Sequence, residues 1–290
     1  MSYLESCKSE LNQYLETALV TSGLAKRLYD AMNYSLLNDG KRLRPALCMA
    51  TAETFGVERQ AVLPAAAALE MIHSYSLIHD DLPCMDDDDL RRGQPTNHKV
   101  FGEAMALLAG DGLLTEAFVQ LSKPLSGVSP DRQVSMLHTL ALRAGASGMV
   151  GGQAVDVELT GQEGTLADVE YIHLHKTARL IQASIEIGAL FPELPTECVK
   201  ALSVYGESLG LAFQMIDDVL DVVGSSEELG KTPGKDVQAN KLTYPRFLGV
   251  EETRELAAQV IGRGEQALLK VGIASSPLRE LQSVVLERTH

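Results

Sequence analysis

Residues 211–224, LAFQMIDDVLDVVG, place three aspartates in a stretch otherwise made of core-forming residues. Gln214, Asp217, Asp218 and Asp221 occupy positions i, i+3, i+4 and i+7, so a helix carries all four on one face. Carboxylates on one apolar helix repel one another unless a hard cation neutralises them and takes their oxygens as ligands. The segment therefore predicts a helix and, on it, a divalent-cation site.

A second acidic segment lies upstream in residues 72–93, IHSYSLIHDDLPCMDDDDLRRG. A solvated surface charge run is the alternative interpretation, because acidic clusters are common on protein surfaces. Asp80 and Asp86 would not share a face of a regular helix, but Pro83 interrupts the helix and lets the chain bulge so that Asp86 turns back. Asp87 remains an alternative ligand. An EF-hand is excluded, because its loop glycine and distal glutamate are missing.

Magnesium binds one or two carboxylates, keeps several waters and completes its shell with phosphate oxygens. Two facing acidic segments are therefore suited to hold a diphosphate through bridging magnesium ions. The net charge of −14, from 39 acidic and 25 basic residues, opposes binding to nucleic acid or to an anionic membrane. Each basic residue near these segments, taken alone, is more often a surface charge, but together they favour a two-diphosphate site. These residues are Lys41, Arg44, Arg91, Arg92, Lys176, Lys231 and Lys235.

Alanine, leucine and glutamate dominate, and alternating β-branched runs are scarce, so the predicted fold class is all-α. We expect one domain over residues 1–290, because no linker or low-complexity tract divides the chain. Ser129 before Pro130, Ser276 before Pro277, and Thr165 with Asp168, are predicted helix starts. The predicted helices span 3–20, 24–38, 42–56, 60–82, 98–122, 130–158, 166–190, 195–224, 235–247, 251–271 and 277–288.

The composition also bounds location and redox chemistry. The four cysteines form no C-x-x-C pair, and His173 and His175 would lie on different sides of a helix, so neither disulfides nor zinc are expected. The first residues lack the apolar stretch of a signal peptide, and no segment approaches the roughly 18 consecutive apolar residues of a membrane span. We expect a cytoplasmic protein that does not associate with membranes.

Seven motifs follow in order from residue 40 to residue 245: GKRLRP, HSYSLIHDDLPCMDDDDLRRG, GDGLLTEAF, GMVGGQAVD, HKT, FQMIDDVLD and GKTPGKDVQANKLTYP. With them the chain resembles the short-chain trans-prenyl diphosphate synthases, and specifically the bacterial farnesyl diphosphate synthases. The resemblance implies a bundle of long antiparallel helices around a central cavity, usually assembled as a homodimer.

The implied reaction joins isopentenyl diphosphate to dimethylallyl and geranyl diphosphate, with three magnesium ions, or manganese as an alternative, assisting ionisation. By the same resemblance the metal ligands are Asp80, Asp81, Asp86, Asp217, Asp218 and Asp221. Isopentenyl diphosphate is expected at Lys41, Arg44, His73 and Arg92, and the allylic diphosphate at Arg91, Lys176, Thr177, Gln214 and Lys231. Catalysis is assigned to Lys176, Thr177, Gln214, Asp80 and Asp217.

Tyr75 lies five residues before Asp80, roughly 7.5 Å lower along a helix. In the resembled family a bulky aromatic here, with an insert such as Leu82 to Met85, goes with a fifteen-carbon product. Arg179 departs from the small residues usual in that family and is expected to border the allylic site. A twenty-carbon synthase, a terpene cyclase and a non-catalytic synthase subunit are the rival interpretations.

Overall fold

The computed structural model describes residues 1–19, 23–223 and 241–286. Most of these residues are helical, which confirms the predicted all-α class. The first half of the chain forms α1 (Tyr3–Ala18), a 3-10 turn (Gly23–Ala25), α2 (Lys26–Leu36), α3 (Leu43–Thr54), α4 (Arg59–Asp80), β1 (Leu90–Arg91), β2 (Gln94–Pro95), α5 (Asn97–Phe101) and α6 (Glu103–Ser122). The second half forms α7 (Pro130–Ala144), α8 (Met149–Leu159), α9 (Leu166–Ile172), a π-helical turn (His173–Ala178), α10 (Arg179–Ala189), α11 (Thr196–Val223), α12 (Tyr244–Leu248), α13 (Val250–Lys270) and α14 (Ser276–Leu286).

Of the three predicted helix starts, the one at Ser276 is displaced by one residue, because the hydroxyl that accepts the Leu278 N–H at 3.2 Å belongs to Ser275 and Ser276 is already part of α14. The other two are confirmed. The Ser129 hydroxyl accepts the Arg132 N–H at 3.4 Å, with Pro130 at the first helical position of α7. Thr165 and Asp168 form a reciprocal capping box at the start of α9. Both arrangements satisfy backbone N–H groups that have no partner inside the helix.

The prediction of one helix over 130–158 is wrong, because the chain breaks between α7 and α8. Gly145 and Gly148 adopt non-helical backbone angles there. A Cβ added at Gly148 would lie 2.0 Å from the Arg143 carbonyl oxygen, so only glycine fits this turn. The predicted helix over 98–122 is likewise divided into α5 and α6 at Gly102, whose φ is 86°.

The hairpin β1–β2 was not predicted. Its two central residues, Arg92 and Gly93, both have positive φ, 53° and 76°, which is the backbone of a type I′ hairpin turn. Asn-Gly and Asp-Gly are the usual signals for that turn, and arginine in its first position gives none. The hairpin places Arg91 in β1 and Arg92 in the turn, directly after the run of aspartates.

Helices α4 and α11 lie inside the fold and bring their acidic ends towards one region. α4 packs on α3 and α6, α11 packs along α10 and α13, and α10 contacts both α4 and α11. Buried apolar side chains from the long helices form one continuous core, in which Leu69, Met71 and Ile72 of α4 are fully buried.

α4 and α6 are each long and apolar enough to cross a membrane by length and composition alone. The expectation that no segment has this character was therefore too strict. Of the span-like window in α4, 72% is buried, as in the core helix of a globular protein, whereas in α6 the share is 39%. α6 instead carries exposed Leu107, Leu108 and Val119.

Candidate active site

The first acidic station (Asp80, Asp81 and Asp86) forms where α4 ends. Past Asp80 the chain leaves the helix in a series of turns, and the Asp86 N–H donates to the Asp80 carbonyl oxygen at 2.9 Å. This confirms the predicted bulge, by which Pro83 turns Asp86 back to Asp80. Burial raises the pKa of Asp80 to about 6, and the charges of Asp86 and Asp81 add to the rise, while Lys176 and Arg91 oppose it. The station is thus a crowded set of carboxylates that repel one another.

Asp81 has a different environment from Asp80. It is 3% exposed, and both of its carboxylate oxygens accept from the Arg91 Nε, at 2.7 and 2.9 Å. Burial raises the pKa of Asp81, and the Arg91 hydrogen bond opposes the rise. The Arg91 Nη2 also lies 3.4 Å from the Asp88 Oδ2. The hairpin therefore holds the Arg91 guanidinium against the first station.

The second acidic station (Asp217, Asp218 and Asp221) lies near the end of α11. Asp218 is 2% exposed. It accepts from the Tyr244 N–H at the start of α12 at 3.0 Å and from Gln214 Nε2 at 3.1 Å. Asp217 and Asp221 are less buried. As at the first station, the second residue of the Asp-Asp pair is bound by protein donors.

His173 lies beside Asp218, with its Nε2 3.4 Å from the Asp218 Oδ2. Burial lowers the pKa of His173 to about 3, so the imidazole is neutral at physiological pH. Its ring also packs against Tyr244, 5.2 Å between centroids. His175 instead stacks on Tyr171, so the two imidazoles lie in separate environments.

The π-helical turn presents Lys176 and Thr177. One extra residue per turn shifts the register of the helix, and such turns are frequent at functional sites. The Thr177 hydroxyl donates to Gln214 Oε1 at 2.8 Å. A Cβ added at Gly152 would lie 2.2 Å from the backbone nitrogen of Lys176, and one added at Gly210 would lie 2.5 Å from the Ala178 Cα. Both neighbouring helices therefore approach the turn closely because they have glycine there.

Two charged residues at the site were not singled out from the sequence. Asp156 of α8 pairs with the Lys176 Nζ at 2.5 Å, and the Lys241 Nζ lies 3.6 Å from the Asp86 Oδ1. Both lie inside quoted motifs, GMVGGQAVD and GKTPGKDVQANKLTYP, but their partners are 20 and 155 residues away, and no local spacing indicates such pairs. Lys231, the predicted ligand of the allylic diphosphate, lies outside the described residues.

A cationic pocket surrounds His73 on α4. The pKa of His73 is held well below its usual range, first by its removal from water and then by the charges of Arg44, Arg92, Arg91 and Arg42. The Arg92 guanidinium packs directly on Gly40, where an added Cβ would lie 2.3 Å from its Nη1. The structure thus brings His73, Arg44 and Arg92 together, while Lys41 lies exposed at the same turn.

Tyr75 is buried on α4, five residues before Asp80, and burial raises the pKa of its hydroxyl to about 12. The ring meets His79 edge-on, 5.7 Å between centroids. The His79 Nε2 lies 3.0 Å from the Leu107 carbonyl oxygen. A Cβ at Gly110 would lie 2.0 Å from the His79 Nε2. His79 therefore links Tyr75 to the backbone of α6.

Arg179 contacts α11. Its Nη1 donates to Gln182 Oε1 at 2.8 Å and to Glu207 Oε2 at 3.0 Å. These two contacts pair the Arg179 guanidinium with protein groups, so its position does not require a bound ligand.

Within residues 1–19, 23–223 and 241–286, no three imidazole, thiol or carboxylate groups converge as a ready-made metal site. The donors at both stations are carboxylates, the hard oxygen ligands that magnesium prefers. Burial, together with the charges of the neighbouring carboxylates, raises the pKa of Asp80 and so disfavours its charged form, and a bound cation would favour that form. The residues therefore fit magnesium ions that complete their shells with ligand phosphates.

Comparison with known proteins gives a consistent family. Residues 25–272 match the polyprenyl synthetase family. A chloroplastic geranylgeranyl pyrophosphate synthase of Catharanthus roseus is 46% identical over 92% of this chain and 75% of its own length. An FPP/GFPP synthase of Zymomonas mobilis superposes with a TM-score of 0.87 at 34% identity, covering 99% of this chain and 97% of that one. A Helicobacter pylori geranyltransferase complexed with magnesium and isoprenyl diphosphate has a TM-score of 0.86 at 31% identity, covering 100% and 98%.

Proposed function

The chain belongs to the polyprenyl synthetase family and is a prenyltransferase, and we propose that it is a (2E,6E)-farnesyl diphosphate synthase. In this proposal it condenses isopentenyl diphosphate head-to-tail with dimethylallyl diphosphate and then with geranyl diphosphate. The observation that carries the proposal is the charge arrangement at the first station. Its carboxylates lie within electrostatic reach of Lys176 and Arg91, and the cationic pocket around His73 shares Arg91 with them.

The reaction begins when the allylic C–O bond breaks and pyrophosphate leaves with the electron pair. Lys176, Arg91 and Lys241 lie against carboxylates of the site and would stabilise the charge on the departing pyrophosphate. The double bond of isopentenyl diphosphate then attacks the allylic cation, and a proton is lost to the released pyrophosphate. No dedicated basic side chain is needed.

Thr177 and Gln214 are proposed to shelter the cation. Their side chains are joined by a hydrogen bond, and Gln214 in turn donates to Asp218. This chain fixes the Gln214 amide, so that its oxygen and that of Thr177 lie between the π-helical turn and the second station. Oxygen dipoles held in place stabilise developing positive charge without reorganising.

The proposed magnesium ligands are the aspartates of the two stations. Asp80, Asp86, Asp217 and Asp221 are the less enclosed, and Asp81 and Asp218 are bound by protein donors. When bound, the metal would neutralise the diphosphate and assist its departure. Lys41, Arg44, His73 and Arg92 are proposed to bind isopentenyl diphosphate. His73 is neutral there because the pKa is lowered, so it acts as a hydrogen-bonding group rather than as a cation.

Tyr75 supports a fifteen-carbon product. Its ring is buried below Asp80 and is braced by His79, which contacts α6. A braced ring cannot swing aside easily to admit a longer chain. The relatives named as geranylgeranyl synthases favour the second candidate, a twenty-carbon product, and this is the distinction that the experiment must make.

The experiment is product chromatography after incubation of the purified protein with radiolabelled isopentenyl diphosphate, each allylic starter and magnesium. A C15 product that EDTA abolishes supports the proposal, whereas a C20 product replaces it with the second candidate. Tyr75→Ala is expected to lengthen the product to twenty carbons or more, and Tyr75→Phe, which keeps the ring, is the matched control and should leave C15. Absence of condensation with either starter would favour a non-catalytic subunit.

The resemblance also leads us to propose a homodimer. Exposed Leu107, Leu108 and Val119 give α6 an apolar face, and apolar faces of this kind are often covered by another subunit. Light scattering measures the mass directly, and Leu108→Glu should lower it if this face is the interface. An unchanged dimer in that variant would assign the interface to another surface.

A further inference from the structure

Arg42 lies between two residues of the proposed headgroup site, Lys41 and Arg44, but is itself withdrawn from solvent. It is 3% exposed. Its backbone is left-handed, with φ of 52° and ψ of 34°, at the residue before α3. A side chain in this region costs about 1 kcal/mol, so surrounding contacts must hold the residue there.

The guanidinium of Arg42 supplies those contacts. Its Nη2 donates to the carbonyl oxygens of Leu36 at 2.8 Å and Asn38 at 3.1 Å, which caps the end of α2. Its Nε donates to Asn12 of α1 at 3.1 Å. Its Nη1 donates to Glu70 of α4 at 2.5 Å. One side chain therefore fixes the turn between α2 and α3 against α1 and α4.

The same turn has a second attachment to α1. Asp39 pairs with Lys8, which lies four residues before Asn12 and so on the same face of α1. On the other side, the Arg92 guanidinium packs on Gly40. The turn that carries Lys41 is thus held from three directions.

Glu70 has a position on α4 that links this anchor to the rest of the site. It is 2% exposed and lies three residues before His73, one turn along the same helix. Its charge also supports the protonated form of Arg92, whose pKa burial lowers. Glu70 is therefore a carboxylate among Arg42, Arg92 and the other arginines that surround His73.

A buried ion pair is a weak device for stability alone, because an apolar pair of similar volume is often as stable. Its directional hydrogen bonds do, however, fix geometry. We propose that Arg42 and Glu70 are positioning residues that hold Lys41, Arg44 and His73 in register for the diphosphate of isopentenyl diphosphate. This inference rests on the proposed function of that pocket.

The test compares Arg42→Lys with wild type by steady-state kinetics for each substrate. Lysine keeps the charge but cannot bind Glu70, Asn12 and two carbonyls at once. We expect the KM for isopentenyl diphosphate to rise roughly tenfold or more, since displacements near 1 Å have effects of that size, while the KM for geranyl diphosphate changes less than about twofold. Protection against thermal unfolding by isopentenyl diphosphate alone, without metal, should weaken in parallel.

Arg143→Lys is the matched control, because Arg143 also pairs with a carboxylate of another helix, Glu186, and joins α7 to α10 outside the proposed site. It should lower Tm without separating the two KM values. If Arg42→Lys does not fold, Arg42→Met/Glu70→Met removes both charges together and keeps the test. Equal changes in both KM values, or a loss of Tm alone, would overturn the inference. A wild-type protein that fails to condense isopentenyl diphosphate would instead overturn the proposed function.

Discussion

The two acidic stations bring their carboxylates together through opposite local structures. The first arises where α4 breaks, and Asp86 returns to Asp80 through a backbone hydrogen bond. The second lies on the unbroken helix α11, where spacing alone puts its members on one face. Each station has one buried aspartate held by the protein, but Asp81 is held by the Arg91 cation and Asp218 by the neutral donors of Tyr244 and Gln214.

This difference indicates how freely each station can rearrange. A guanidinium that binds Asp81 is also a proposed ligand of the allylic diphosphate, so a substrate can compete for it. A backbone N–H that binds Asp218 is part of the fold and has no such second partner in the proposal. We therefore infer that the first station adjusts when substrate binds, whereas the second acts as a fixed platform.

The largest expected effect is loss of turnover when the less enclosed aspartate of either pair is neutralised. Asp80→Asn and Asp217→Asn should each reduce kcat/KM by about 10³-fold, because each removes a charge on which metal-assisted ionisation depends. Asp89→Asn is the control: it lies in the same acidic run but is exposed and paired with Lys99. Steady-state kinetics across a magnesium titration makes the measurement. A fall of similar size in the control would mean that general negative charge matters rather than the two stations.

Sequence reasoning was most successful where a feature depends on local spacing. The face shared by Gln214 and the aspartates of α11 follows from helical periodicity, and the return of Asp86 follows from the effect of Pro83 on its neighbours. The helix starts at Ser129 and Thr165 are equally local.

Long-range and strained features could not be predicted in this way. The π-helical turn spans only six residues, His173–Ala178, so the shift of register that it makes is too short to be recognised in the apolar pattern around Lys176. The left-handed backbone of Arg42 occurs at a residue type that rarely adopts it, so only its tertiary contacts explain it. Pairs such as Lys241 with Asp86 depend on how distant helices pack.

The next effect in size distinguishes the two buried aspartates by stability. Asp81→Asn should lower the free energy of unfolding by about 3 kcal/mol, because it leaves the Arg91 guanidinium without its main counterion. Asp218→Asn should lower it by only about 1 kcal/mol, since an amide oxygen can still accept the Tyr244 N–H. Urea unfolding monitored by circular dichroism measures both. Equal losses for the two variants would mean that the Arg91 guanidinium bound by Asp81 and the Tyr244 N–H bound by Asp218 contribute alike to stability.

The smallest effect concerns Asp80 in protein freed of metal with EDTA. Its folded-state pKa, about 6, lies above the unfolded value, so the folded protein binds the proton more tightly. Stability from this group is therefore present at low pH and is lost as pH rises towards and through 6.

Asp80→Asn removes that loss, and we expect it to stabilise the fold by about 1–2 kcal/mol at pH 7.5, with solvent screening reducing the full conversion of the pKa shift into free energy. The gain should vanish near pH 4, where the wild-type carboxyl is protonated. The corresponding variant of the second station, Asp217→Asn, is measured for comparison. Unfolding curves at pH 7.5 and pH 4 give the change in the free energy of unfolding for each variant. A gain for Asp80→Asn that persists at pH 4 would mean that the asparagine stabilises by packing, and the carboxylates of the first station would then not be strained in the absence of a cation.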